Sequence, residues 1–148
     1  MSIAGIVLGH GDAHGVTILG SRVDFLVTGE SSEQCSIFEL SVAPGFDTGA
    51  HYHTQMEEFF YVLEGEVNLR SGDRIVRGGP GAFVFVPKGA AHSYGNPGEI
   101  PARVLLVCSP PGFEKYFEEL AAVVKEHGRP DADTMARLRA KYDTIQIP

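Results

Sequence analysis

The chain has 148 residues, 43% of them hydrophobic and 21% charged, and a formal net charge of −7. A folded chain of this length hides roughly 70% of its extended surface, so one domain with a substantial core needs no disulfide or metal to hold it together. The acidic balance, with no local cluster of Lys or Arg, argues against nucleic acid and anionic membrane as partners, and no apolar run approaches the roughly 20 residues of a spanning helix; small molecules are the expected partners.

Met1 to Leu8 are apolar but carry no basic leader and are cut short by Gly9, His10, Gly11 and Asp12, so no secretory signal is expected and a cytoplasmic location is. From residue 16 to residue 108 short runs rich in Val, Ile, Phe and Tyr alternate with Gly, Pro, Asn and Ser punctuation, the pattern of many antiparallel strands. Strands are expected over 16–19, 22–28, 35–43, 50–53, 57–63, 66–70, 74–77, 82–86, 91–95 and 102–108. Glu64-Gly65 and Ser71-Gly72-Asp73 read as tight hairpins, glycine supplying the positive φ. Cys35 and Cys108, each in an apolar strand-like stretch, read as small buried hydrophobes and not as a bridge.

Beyond Pro110-Pro111-Gly112 the period changes. Phe113, Tyr116, Phe117, Leu120, Val123 and Val124 recur at helical spacing with charged residues between them, which predicts an amphipathic helix ending near Gly128 and Pro130. A second, shorter helix is expected to start at an N-cap within Asp131 to Asp133 and to present Met135, Leu138 and Tyr142 on one face. Its cations, Arg137, Arg139 and Lys141, fall late, where they suit the helix dipole. Both helices are expected to cover barrel surface, with a lid or dimer contact as the alternative. The whole reads as a single domain over 1–148, a barrel about 16–108 followed by a helical segment about 112–148.

Two of the six histidines stand as His51-Tyr52-His53 in a strand-like context. Strand side chains alternate faces, so both imidazoles project the same way and could share an ion. Glu58 opens the apolar run Phe59 to Leu63, where an unpaired carboxylate is costly, and His92 follows Pro87-Lys88-Gly89 on another short strand. Three imidazoles and one carboxylate suit a borderline first-row metal with positions left for water or substrate. Taken alone, an HxH pair in a strand has a chance occurrence as its alternative.

The pair does not stand alone. Gly45, five residues, His51-Tyr52-His53, four residues, Glu58, six residues, Gly65 form one stretch; Gly81, five residues, Pro87-Lys88-Gly89, two residues, His92, three residues, Asn96 form another. Together these closely resemble the two signature motifs of the cupin superfamily, with every fixed position filled. The short gap from Gly65 to Gly81 is similar to that of compact single-domain members. The resemblance implies an all-β fold, a double-stranded β-helix or jelly roll, with C-terminal helices in addition. It also implies that His51, His53, Glu58 and His92 converge on one divalent transition metal ion, Fe, Mn, Ni, Co, Cu or Zn. Gly45, Gly65, Gly81, Gly89 and Pro87 read as structural. Family spacing prefers Glu58 over Glu57 as the ligand and sends Glu57 to the opposite face.

Alternation from Glu58 carries Phe60 and Val62 inward, and from His92 it carries Tyr94, so the cavity is expected to be apolar and partly aromatic around a polar centre. Phe83 and Phe85 share a face that the sequence does not assign. Tyr94 is a candidate to hold or protonate substrate, and Glu58 a candidate general base if burial raises its pKa. The resemblance to small quercetin dioxygenase-like cupins implies a dioxygenase for an enolic or phenolic aromatic substrate. Non-redox cyclisation, isomerisation or decarboxylation, as in polyketide cyclase-like cupins, is the alternative, and a non-catalytic binding barrel stands behind both. His10, His14 and His127 are expected on the surface or in loops, the first two on a stretch that could fold over the barrel mouth. Short exposed strands and family analogy make a homodimer the expected assembly.

Overall fold

A computed structural model describes residues 3–148. Met1 and Ser2, part of the stretch read for a leader, lie outside the described residues. The strands are β1 (His14–Ile18), β2 (Ser21–Val27), β3 (Ser36–Val42), β4 (His51–Tyr52), β5 (Glu57–Glu64), β6 (Val67–Ser71), β7 (Arg74–Gly78), β8 (Phe83–Val86), β9 (His92–Gly95), β10 (Ala102–Ser109) and β11 (Ile145–Gln146). Helices α1 (Glu114–His127) and α2 (Ala132–Lys141) lie between β10 and β11. No helix among the described residues is long and apolar enough to cross a membrane.

Two antiparallel sheets face each other, one in the order β1-β2-β3-β10-β5-β8 and the other β11-β4-β9-β6-β7. This is the expected jelly roll. Each of the ten expected strands forms within about two residues of its predicted ends, because period-two alternation is strong where one face is buried. Burial along β3 and β10 alternates residue by residue, sending Phe38, Leu40, Val42, Val104, Leu106 and Cys108 inward. Across the gap, Val67 and Leu69 of β6 complete the packed layer. Phe60 and Val62 point inward as alternation requires, whereas Phe83 and Phe85 point outward and stay 60% and 44% exposed.

One turn differs from its sequence reading. Ser71 and Arg74 pair across Gly72-Asp73, a two-residue hairpin as expected, but Glu64-Gly65 is a crossing between sheets and not a hairpin. The strand before it pairs with β10 and β8, the strand after it with β7 and β9. Gly65 still matters at the crossing: its φ is 76°, and a Cβ there would stand 2.9 Å from the Ala102 Cα. The composition of a crossing and of a hairpin is the same, so only the pairing of distant strands separates them.

The helices form where the period changes. Asp131 caps α2 by accepting the Thr134 N–H at 2.7 Å. Helix α1 lacks a side-chain cap but buries Glu114, whose carboxylate accepts the Gly29 N–H at 2.7 Å and the Ser36 hydroxyl at 2.8 Å. Phe117 meets Phe38 edge-on at 5.0 Å, which fixes α1 against the larger sheet. Cys108 is buried as expected, Cys35 is only half-buried just ahead of β3, and neither is in a disulfide.

Asn96, the last position of the second motif, is 2% exposed. Its amide nitrogen donates to the Val42 and Ile100 carbonyls at 2.9 and 2.8 Å, and its carbonyl accepts from Gly98 at 2.9 Å. Asn96→Ala strands these groups out of water, and each orphan costs about 1–3 kcal/mol. Urea unfolding is expected to show a loss of at least about 2 kcal/mol; an unchanged midpoint would show that the loop relaxes to water.

Candidate metal centre

Strands β4 and β9 run side by side so that His51 and His92 are direct cross-strand partners. His53 follows β4 on the same face as His51, and Glu58 enters from β5 in the opposing sheet. All four side chains are buried, Glu58 at 3% and His92 at 1% exposure. One ring nitrogen from each of the three histidines lies within 4.8 Å of the others. Glu57, half-buried, falls on the other face of its strand, so the register assumed for β5 holds.

Each imidazole is aimed by a main-chain carbonyl. Nδ1 of His51 meets the Gly49 carbonyl, Nδ1 of His53 that of Asp143, and Nδ1 of His92 that of Ala90, all at 2.9 Å. A carbonyl only accepts, so each Nδ1 carries the hydrogen and each Nε2 in a neutral ring is left with its lone pair. Three lone pairs therefore face one point. This is the supporting arrangement that fixes tautomer and orientation in metal-binding histidines.

The Glu58 Oε2 sits 2.9 Å from His92 Nε2 and its Oε1 3.4 Å from His53 Nε2. Two acceptors at 2.9 Å repel unless a cation, either a proton or a metal ion, lies with them. His53 Nε2 is fully buried and has no hydrogen-bond partner among the described residues, the 3.4 Å approach being poorly directed. An orphaned buried nitrogen is costly and is satisfied by coordination. The three histidines thus fit a divalent first-row ion, with the Glu58 carboxylate beside His92 and His53.

Burial works to raise the Glu58 pKa, but the His53 and His92 imidazoles beside it, which favour the charged carboxylate when they are protonated, overwhelm it and bring it down to about 2. The raised pKa expected from the apolar strand is therefore reversed, because the sequence does not show which groups converge on the carboxylate. Burial, reinforced by the positive charge of His92, lowers His51 to about 4. Burial also pulls His53 down, yet the Glu58 carboxylate and the Asp143 carbonyl more than offset it, and its pKa stands above the ordinary value. Cys108 Sγ lies 3.7 Å from Glu58 Oε1, and desolvation together with that carboxylate keeps the thiol protonated.

Beside His51 and Glu58 opens a cavity of about 600 Å³. Tyr94 lines it, half-buried, with its ring 5.8 Å from Phe46 and 5.2 Å from Phe60. Its hydroxyl makes no hydrogen bond among the described residues. Burial and then the Glu58 charge push its pKa up, so it stays a phenol. Phe60 and Val62, expected to line the cavity, are packed in the core instead; the apolar wall comes from Leu40, Leu106, Phe113 and Phe117. The two helices are accordingly part of the cavity as well as a cover. His10, His14 and His127 are exposed and lie away from it.

Residues 38–108 match the cupin domain family model. The chain carries a cupin domain over these residues. It is 34% identical over 71 residues to the tetracenomycin polyketide synthase protein TcmJ of Streptomyces glaucescens, covering 48% of each chain. It is 31% identical over 77 residues to the quercetin 2,3-dioxygenase of Bacillus subtilis, covering 52% of this chain and 23% of that one. A solved structure from Thermus thermophilus superposes with a TM-score of 0.51 at 34% identity, covering 54% of this cupin and 76% of the other chain. The chain spans about half the length of the first of these curated relatives and under a quarter of the second.

The sequence reading missed the C-terminal clasp on this cupin's centre. Besides its carbonyl bond to His53, Asp143 accepts from the Thr54 N–H and hydroxyl at 3.0 and 2.6 Å and from the Gln55 N–H at 2.7 Å. Thr144 Oγ1 lies 3.2 Å from His53 Nδ1. The available signal was weak: an Asp that favours left-handed backbone, here at φ 53°, directly before a β-branched pair.

Elemental analysis is expected to find close to one transition-metal equivalent per chain and a sharp fall in His53→Ala; unchanged content in that variant would remove His53 from the site. On acidification His53, with its raised pKa, takes up a proton before His51, whose pKa is lowered to about 4, so metal retention should decline from the ordinary imidazole range downward. Retention unchanged down to pH about 4 would contradict this. Asp143→Ala should weaken metal affinity by about tenfold to a hundredfold in a competition titration with a chromogenic chelator.

Proposed function

We propose that this cupin is a metal-dependent enzyme for an enolic or phenolic aromatic compound, and that the reaction is a quercetinase-like dioxygenation. The observation that carries the reading is the junction of a buried three-histidine, one-glutamate cluster with a cavity whose walls are aromatic and aliphatic. A flat apolar molecule with one acidic oxygen suits such a place. The bound ion would supply a Lewis-acidic seat for that oxygen and, if redox-active, a route for electrons to dioxygen.

The chain's own residues do the rest. Glu58, ionised at neutral pH, can accept the proton that an enol or phenol gives up as it binds. Its low pKa makes it a weak base, so the substrate hydroxyl must itself be acidic, as a flavonol-type or polyketide-type enol is. The unpartnered Tyr94 hydroxyl donates a hydrogen bond to the substrate. Leu40, Leu106 and Phe113 exclude water around it. Similarity to the quercetin 2,3-dioxygenase supports the choice of oxygen chemistry.

A second reading, non-redox cyclisation, isomerisation or decarboxylation, draws support from the similarity to the tetracenomycin polyketide synthase protein. Oxygen uptake with flavonol or catechol-like compounds is the deciding measurement. Uptake is expected with the metal-loaded protein, and turnover under strict anaerobiosis transfers the assignment to the second reading. No turnover at full loading would leave a binding barrel. Glu58→Gln is expected to lower kcat by about a hundredfold or more, and Tyr94→Phe by roughly tenfold, within the span of single proton-transfer and hydrogen-bonding groups.

A further inference from the structure

Several guanidiniums have only neutral partners, among them Arg70 on the Gly72 carbonyl and Arg137 on the Thr134 hydroxyl. Of these, Arg139 is the one that is both half-buried and lining the cavity, whereas other guanidiniums are paired with carboxylates. Arg22 faces Asp24 at 2.8 Å, Arg77 faces Glu66 at 2.9 Å, and Arg103 lies between Glu39 and Glu64. Arg139, half-buried on α2 and lining the cavity, has no carboxylate at ion-pair distance among the described residues. Its partners are neutral. Nη1 donates to the Thr48 carbonyl at 2.9 Å and Nε to the Tyr116 hydroxyl at 3.3 Å. Nη2 has no partner among the described residues, so donors remain on the edge of the fork. A half-buried cation without a counterion on the wall of a cavity, in a chain of net charge −7, is a place that an incoming anion would relieve.

Arg139 lines the same cavity as His51 and Glu58, on the wall formed by the helices. Tyr116 stacks on Phe113 at 4.9 Å and 29°, and Phe113 meets the His53 ring edge-on at 5.8 Å. Arg139 is therefore linked to the metal centre through two aromatic rings, along the wall that would hold a flat molecule. Charge counts agree. The cavity carries Arg129 and Arg139 against Asp47 and Glu58. Asp47 is turned to accept the Gly49 N–H at 2.7 Å, and Glu58 faces His53 and His92. A dication at the centre would leave this cavity positive within an acidic protein, which concentrates anions there.

We propose that Arg139 forms a carboxylate subsite on the helical wall of the cavity, so that the substrate is an aromatic acid whose carboxylate lies remote from the hydroxyl that meets the centre. The subsite rests on the reading of this cavity as the substrate site. Arginine suits the task because its planar fork can grip both carboxylate oxygens, here with the remaining N–H groups while Thr48 and Tyr116 hold the plane.

The probe is para-coumarate, with phenol and carboxylate at opposite ends, compared with its neutral primary amide. Calorimetric titration of the as-isolated protein, Arg139→Met and Arg139→Lys is repeated after chelation, with metal content measured throughout. The acid is expected to bind tighter than the amide by on the order of tenfold to a hundredfold. Arg139→Met should erase that preference while amide affinity stays within about twofold, and Arg139→Lys should keep part of it. The preference should persist after chelation. Equal affinity for both probes in the parent protein, or no binding of either, overturns the subsite. A preference that survives Arg139→Met places the carboxylate on the metal centre, and equal weakening of both probes makes Arg139 a structural tie; either result also overturns it. A protein that proves metal-free yet keeps the arginine-dependent preference would sink the metal reading and leave the subsite standing.

Discussion

Three hydrogen bonds from ring nitrogens to main-chain carbonyls decide what the interior of this protein can be. By holding the Nδ1 hydrogens of His51, His53 and His92, the carbonyls of Gly49, Asp143 and Ala90 leave three lone pairs and the Glu58 carboxylate facing one another in a nearly dry space. Such a cluster repels itself without a cation. The surrounding structure must be rigid enough to tolerate that tension, and it is: two sheets, locked by cross-strand pairing and an alternating aliphatic core, supply each ligand from a different strand or strand end.

Much of this is legible in the residues. Alternation places His51 with His53 and Glu58 with Phe60 and Val62, because a two-residue period leaves no choice of face once one side is buried. The paired motifs bring Glu58 and His92 to the same centre, although only through resemblance; nothing in the spacing alone joins strands so distant in sequence. The charge state of Glu58 runs opposite to its sequence reading, since a carboxylate in an apolar strand points to desolvation and the two imidazoles that reverse it arrive from the opposite sheet. Likewise Glu64-Gly65 looks like a hairpin, and only the partners of β5 and β6 reveal a passage between sheets.

The helical segment shows the limit of periodicity more plainly. Spacing locates α1 and α2 and their apolar faces, but an amphipathic face does not say whether it meets packed core or open space. Phe117 does the first, against Phe38, while Phe113, Tyr116 and Arg139 border the second. In the sequence Arg139 is only a cation suited to the end of a helix. Its contacts with the Thr48 carbonyl and the Tyr116 hydroxyl give it a second context that no local pattern encodes.

The bond between His53 and the Asp143 carbonyl couples the centre to the order in which the chain is made. During synthesis the barrel strands through β10 can emerge and pair while the clasp that aims His53 is still inside the ribosome. The aim of His53 is thus set by a residue 90 positions further along the chain, which emerges after all four of the clustered side chains.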